Sequence, residues 1–161
     1  QYLETITRKT ARLFESAGRL GAILADAGPA TEQALADYGL NLGIAFQIVD
    51  DTLDYTADAE EMGKNAGDDL AEGKATLPLI HALGECAPDQ HQLLSSAISE
   101  GHRDWLIEVK AIIESTSALA YTSRRARDYA EAAKQSLETL PASPYRTALA
   151  DLADFSVSRT Y

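Results

Sequence analysis

The chain is poor in several things a reader would look for first. Of its 161 residues only Cys86 is a cysteine, so no internal disulfide is possible, and a reducing, cytoplasmic compartment is expected. Its longest stretch without a charged side chain, Tyr38 to Val49, is too short to span a bilayer, so no integral membrane segment is expected. The opening QYLETITRKT has no apolar signal-peptide core, and it does not begin with methionine, which leaves a mature product or a fragment open. Strand-like alternation, internal repeats and low-complexity tracts are all missing. Most telling is a missing charge: between Arg19 and Lys64 there is no lysine, arginine or histidine, while that window holds nine acids. The rest of the chain sets 14 basic against 16 acidic residues, so most of the net charge of −11 is one local feature. A binder of nucleic acid or of an anionic membrane needs a basic surface, and both are disfavoured.

What is present points to helices. Alanine, the best helix former, supplies 28 residues, and Gly and Pro sit at punctuation points. An all-α fold is expected, a single domain or part of one. A first helix is read from Tyr2 to about Asp26, with Leu3, Ile6, Thr10, Leu13, Ala17 and Leu20 on its apolar face and Gly28-Pro29 ending it. A second, from about Ala30 to Tyr55, is apolar nearly all round and therefore buried. Gly39 and Gly43 on one of its faces leave room for a close neighbour. Thr56 to Gly73 reads as a long loop or short turns, and loops of that length are often functional. Thr76-Leu77-Pro78 starts a helix that reaches about Cys86, with later joints at Pro88, Gly101 and Pro141–Pro144. Ser143 and Pro144 suit an N-cap and a first helical position, and the helix they open places Tyr145, Leu149, Leu152 and Phe155 on one face.

The end of the buried helix carries Gln47, Asp50, Asp51 and Asp54, spaced to stack on one face. Three carboxylates in contact repel one another, so something positive must compensate. Two readings are open. The helix end emerges into solvent, or it holds a divalent cation. Hard oxygen donors favour Mg²⁺ or Ca²⁺, and Mg²⁺ characteristically uses one or two carboxylates and shares a phosphate-bearing substrate. Lys64 and Lys74 in the following glycine-bearing stretch, and Lys9 on the first helix, are each either solvated lysines or phosphate binders. His81, Trp105 and Cys86 read as packed structural residues, and Arg124, Arg125 and Arg127 as a solvated or subunit-contact face.

Phe46-Gln47-x-x-Asp50-Asp51-x-x-Asp54, Gly63-Lys64-x-x-Gly67-x-Asp69 and Glu72-Gly73-Lys74-x-Thr76-Leu77-Pro78 resemble the second aspartate-rich region of trans-isoprenyl diphosphate synthases, the polyprenyl synthetases. Lys9-Thr10-Ala11-x-Leu13-Phe14 and Leu149-x-x-Leu152-x-x-Phe155-x-x-x-Arg159 resemble their upstream Lys-Thr segment and closing helix. The family carries two aspartate-rich motifs on facing helices, and Asp-Asp-x-x-Asp occurs once here, at Asp50. The resemblance therefore implies the C-terminal half of the helical bundle, residues 1–161, without the N-terminal half and its first motif. It implies Mg²⁺-dependent condensation of an allylic diphosphate with isopentenyl diphosphate by the intact enzyme, usually a homodimer. The closest likeness is to bacterial long-chain synthases of octaprenyl or decaprenyl type. Asp50, Asp51 and Asp54 are implied as the metal set, with Asp50 the direct ligand and Asp51 and Asp54 orienting metal-bound waters or nearby cations. Lys9, Lys64 and Lys74 are implied to hold diphosphate, Thr10 and Gln47 to line the pocket, and Asp50, Lys9 and Lys64 to carry catalysis, with Arg159 near the entrance. Two other readings stay open: a non-catalytic helical subunit or fragment, and a related class I terpenoid synthase.

Overall fold

The computed structural model describes residues 1–56, 67–101 and 103–158, and among these there are helices and turns but no strands. The all-α expectation holds. The helices are α1 (Tyr2–Ile6), a π-helical stretch (Thr7–Ala11), α2 (Arg12–Leu24), α3 (Pro29–Thr56), α4 (Asp68–Ala71), α5 (Leu77–Glu85), α6 (Pro88–Glu100), α7 (Leu106–Ser115), α8 (Ala118–Ser136) and α9 (Pro144–Ser158). The described residues form two compact units: one from 1–49 and 125–158, the other from those within 50–124.

Punctuation is where expectation and structure agree best. Thr76 is the N-cap of α5 and Cys86 its C-cap. Left-handed Gly101 closes α6 (φ 67°), as expected of a residue without a Cβ. Ser143 caps α9, its hydroxyl accepting the Arg146 N–H at 3.1 Å. Between α3 and α5, residues 57–66 lie outside the described residues, and Asp68–Ala71 is a single helical turn.

In the first unit, Tyr38, Leu42 and Ala45 of α3 pack with Ala130, Ala133, Leu137 and Ala153. Glycines set how near α2 comes to α3. A Cβ on Gly39 would lie 2.3 Å from the Phe14 carbonyl oxygen, and one on Gly43 2.7 Å from the Ala11 Cα. Both contacts are with backbone, so larger residues would force the helices apart. The Tyr38 hydroxyl donates to the Leu149 carbonyl at 2.8 Å, tying α3 to α9. The second unit closes on Tyr55, Leu70, Leu79, Leu94, Val109, Ile112 and Ile113, with Trp105 and Cys86 packed against it. His81 stacks on Tyr121 with ring centroids 4.1 Å apart, which bears out its reading as a packed helix residue.

Two expected faces are corrected. On α1–α2 the buried line is Ile6, Ala11 and Ala22, whereas Leu13 is 75% and Leu20 56% exposed. The reason is the π stretch: its i→i+5 bonding inserts one extra residue in the turn and rotates everything after it. On α9, Ala153 and Ser156 are buried and Leu149 half-buried, while Tyr145, Leu152 and Phe155 face outward. An apolar stripe identifies a surface that would gain from cover, not the surface that this chain covers.

Candidate metal and diphosphate site

In the first unit, the π stretch carries Lys9 exposed and Thr10 half-buried. The Thr10 hydroxyl donates to Gln47 Oε1 at 2.7 Å. Gln47 is only 6% exposed, so this bond replaces water for an amide that has left it. Because Thr10 donates, the Gln47 carbonyl oxygen is engaged and its Nε2 is the donor end of the group. Gly43, one turn earlier on α3, allows the approach of Ala11 that brings Thr10 within reach. The π turn lies at this contact, as such bulges often do at functional positions.

In the second unit, three carboxylates crowd the end of α3 but stand in three environments. Asp50 is exposed, Asp51 is 5% exposed and Asp54 is half-buried. Asp54 accepts the Asp68 N–H on Oδ1 at 3.2 Å and the Asp69 N–H on Oδ2 at 3.1 Å. Burial, with the Asp69 carboxylate beside it, raises the Asp54 pKa above the usual carboxylate range, opposed by the backbone N–H bonds and Lys74. Lys74 Nζ contacts Asp69 Oδ1 at 3.0 Å and Glu72 Oε2 at 2.6 Å. Hydrogen bonds to Glu72 and then Asp69 push its pKa above the ordinary lysine range, so it stays charged. Arg103 pairs with Asp68. Below the cluster, Tyr55 is buried, and its phenolic oxygen accepts the Thr76 hydroxyl at 3.4 Å.

Among the described residues, no group of three or more His, Cys, Asp or Glu side chains is arranged to hold a metal by itself. The structure brings together Thr10 with Gln47, and Lys74 with Asp69. Lys64 and Arg159 lie outside the described residues. Sequence reasoning missed the π turn and the organising role of Asp69. The first leaves no local compositional signal, and the second depends on a contact with Asp54 across 15 positions.

An all-helical chain with an acidic helix end, a lysine-bearing turn and an upstream Lys-Thr segment points to a narrow class. The chain belongs to the polyprenyl synthetase family, whose pattern matches residues 1–116. It is similar to the octaprenyl diphosphate synthase of Haemophilus influenzae, 49% identical over 99% of this chain and 49% of that protein. The octaprenyl diphosphate synthase of Escherichia coli is 46% identical over 98% of this chain and 49% of that protein. Among solved structures, a polyprenyl synthase from Caulobacter crescentus in complex with calcium and isoprenyl diphosphate superposes with a TM-score of 0.93, at 46% identity over 99% of this chain and 49% of that one. The chain thus spans about half the length of the curated relatives it matches. No helix among the described residues is long and apolar enough to cross a membrane.

Proposed function

We propose that this chain is the C-terminal half of a bacterial long-chain trans-polyprenyl diphosphate synthase domain. In that reading the intact enzyme condenses an allylic diphosphate with isopentenyl diphosphate, with Mg²⁺ as the metal. The observation that carries it is the ordered set of Lys9-Thr10, Gln47, the Asp50 cluster and Lys74 in a chain of this family. The carboxylates suit Mg²⁺: Asp50 is exposed at a helix end and Asp51 stands next to it, while both Asp54 oxygens already receive backbone N–H groups. When bound, the metal offsets the negative charge that builds on the departing diphosphate.

The chain's own groups do the rest. Asp50 is the direct ligand and Asp51 an orienting one. Lys9 and Lys64 hold the allylic diphosphate, and Lys74 adds positive charge from within its carboxylate pairs. Thr10 holds the Gln47 amide in one orientation at the pocket wall. The apolar helices exclude water from the allylic cation. By family resemblance the released diphosphate takes the proton, so no dedicated protein base is assigned. A homodimer in the cytoplasm is part of the same proposal. So is the packing of the missing half, with its own aspartate-rich motif, on the exposed stripes of α2 and α9.

In the complete synthase, Asp50→Ala is expected to lower turnover at least a hundredfold, as loss of several kcal/mol of transition-state stabilisation requires. Incorporation of labelled isopentenyl diphosphate measures it, and turnover within threefold of wild type sinks the assignment. A second reading, a helical fragment that turns nothing over by itself, is favoured by the single Asp-Asp-x-x-Asp. Purified residues 1–161 are accordingly expected to be inactive, and Mg²⁺-dependent condensation by that chain alone would exclude this reading.

A further inference from the structure

The third carboxylate of the acidic motif faces the chain's own backbone. Three consecutive N–H groups converge on one residue: Gly67 donates to the Asp54 carbonyl at 3.2 Å, Asp68 to Oδ1 at 3.2 Å and Asp69 to Oδ2 at 3.1 Å. Asp68 and Asp69 open α4, where N–H groups have no partner within the helix. Ordinarily a Ser, Thr, Asp or Asn at the N-cap would accept one of them. Here the N-cap is Gly67, at φ 82°, and a Cβ on it would lie 2.9 Å from Leu106 Cδ1. The left-handed backbone and the Leu106 side chain both disfavour a capping side chain at position 67. The cap comes from elsewhere, and Asp54 supplies it.

The neighbouring contacts extend this arrangement. Tyr55 meets Thr76 through their hydroxyls, so consecutive residues at the end of α3 grip both ends of the stretch 67–76. Asp69 in turn accepts the Lys74 N–H on its carbonyl at 2.9 Å and the Lys74 ammonium on Oδ1 at 3.0 Å. The location of Lys74 therefore follows from Asp54 through Asp69. A cation on Asp54 would compete with two N–H donors for the same oxygens, whereas Asp50, one turn earlier, is exposed.

We propose that Asp54 is a positioning residue, a remote N-cap that clasps residues 67–69 to the end of α3 and thereby sets Lys74, and that it is not a metal ligand. Its importance for turnover rests on the function proposed above, but the clasp itself does not. Amide hydrogen exchange of the 161-residue chain tests it. In the unsubstituted chain the Asp68 and Asp69 amides should be protected although they lack intrahelical acceptors; free exchange there overturns the proposal without any variant. Asp54→Asn exchanges one accepting oxygen for an NH₂ group, and Asp54→Ala removes both. At least tenfold faster exchange is expected at one of the two amides in the first and at both in the second, with α3 before residue 50 unchanged. Rates within twofold of wild type in both variants overturn it. Titration with Mn²⁺ separates this from the metal assignment. Asp54→Asn should bind within threefold of wild type, and a loss of tenfold or more overturns the proposal. Asp50→Asn should show the opposite pattern, weaker Mn²⁺ binding with exchange intact. Unaltered Mn²⁺ binding in Asp50→Asn would remove the metal reading and leave the clasp standing.

Discussion

The two units hold their candidate site groups by different physics. Thr10 and Gln47 meet between helices brought together by glycines, with the amide almost fully buried. The groups around Asp54, Asp69 and Lys74 meet at a half-exposed turn through a cap and ion pairs. The first arrangement depends on packing and is insensitive to salt. The second depends on charge and on a backbone turn, and water competes with it. Packing holds the first pair in place, whereas water and ions reach the second group.

The contrast can be broken most severely at the glycines. Gly39→Ala drives a methyl group into the Phe14 carbonyl, and a loss of about 3 kcal/mol or more is expected in urea denaturation. Gly84→Ala in the second unit meets nothing within 4 Å and should instead add up to about 1 kcal/mol. Equal effects of the two substitutions would end the claim that the missing Cβ at position 39 sets the approach of α2 to α3.

Next in size is alkaline sensitivity. Burial pushes the Tyr38 pKa from 10.0 up to about 12. The unfolded chain then loses this proton first, so the stabilisation is complete below pH 10 and disappears as pH rises towards 12. About 1–2 kcal/mol should be lost across that window, and Tyr38→Phe should remove this part of the loss. An unchanged alkaline profile in the variant would show that Tyr38 is not held away from water.

The Thr10–Gln47 bond should show a coupling of about 1 kcal/mol in a double-mutant cycle with Thr10→Val and Gln47→Leu, unchanged by added salt. Lys74→Met should have the smallest effect on stability, less than about 1 kcal/mol, because the ammonium is partly exposed. Its effect should shrink further at high salt. The reverse salt dependence at these two sites would overturn the distinction.

Much of this was legible in the chain itself. Ser143-Pro144, Thr76 and Gly101 mark helix ends because local backbone chemistry suffices there, and Gly39 and Gly43 announce a close approach because a missing Cβ has few other uses in a buried helix. The apolar stripes of α2 and α9 do not coincide with their buried faces, because periodicity identifies apolar stripes without identifying their cover. The π turn at Thr7–Ala11 also shifted the α2 register with no compositional trace. The acidic motif was legible as a motif, but the backbone partners of its third carboxylate, Asp68 and Asp69, were not. Asp50, Asp51 and Asp54 are the same residue type a few positions apart.

By itself, then, the sequence determined the all-helical class, the helix ends, the family motifs and the cation-free acidic window, since all of these depend on residue type and short-range spacing. Only the tertiary structure decided that Thr10 orients Gln47 and that Asp54 caps the turn Asp68–Ala71, whose own cap position is a glycine. Those outcomes depend on contacts between residues far apart in the chain and on which face each helix turns inward. Neither is encoded in any one segment.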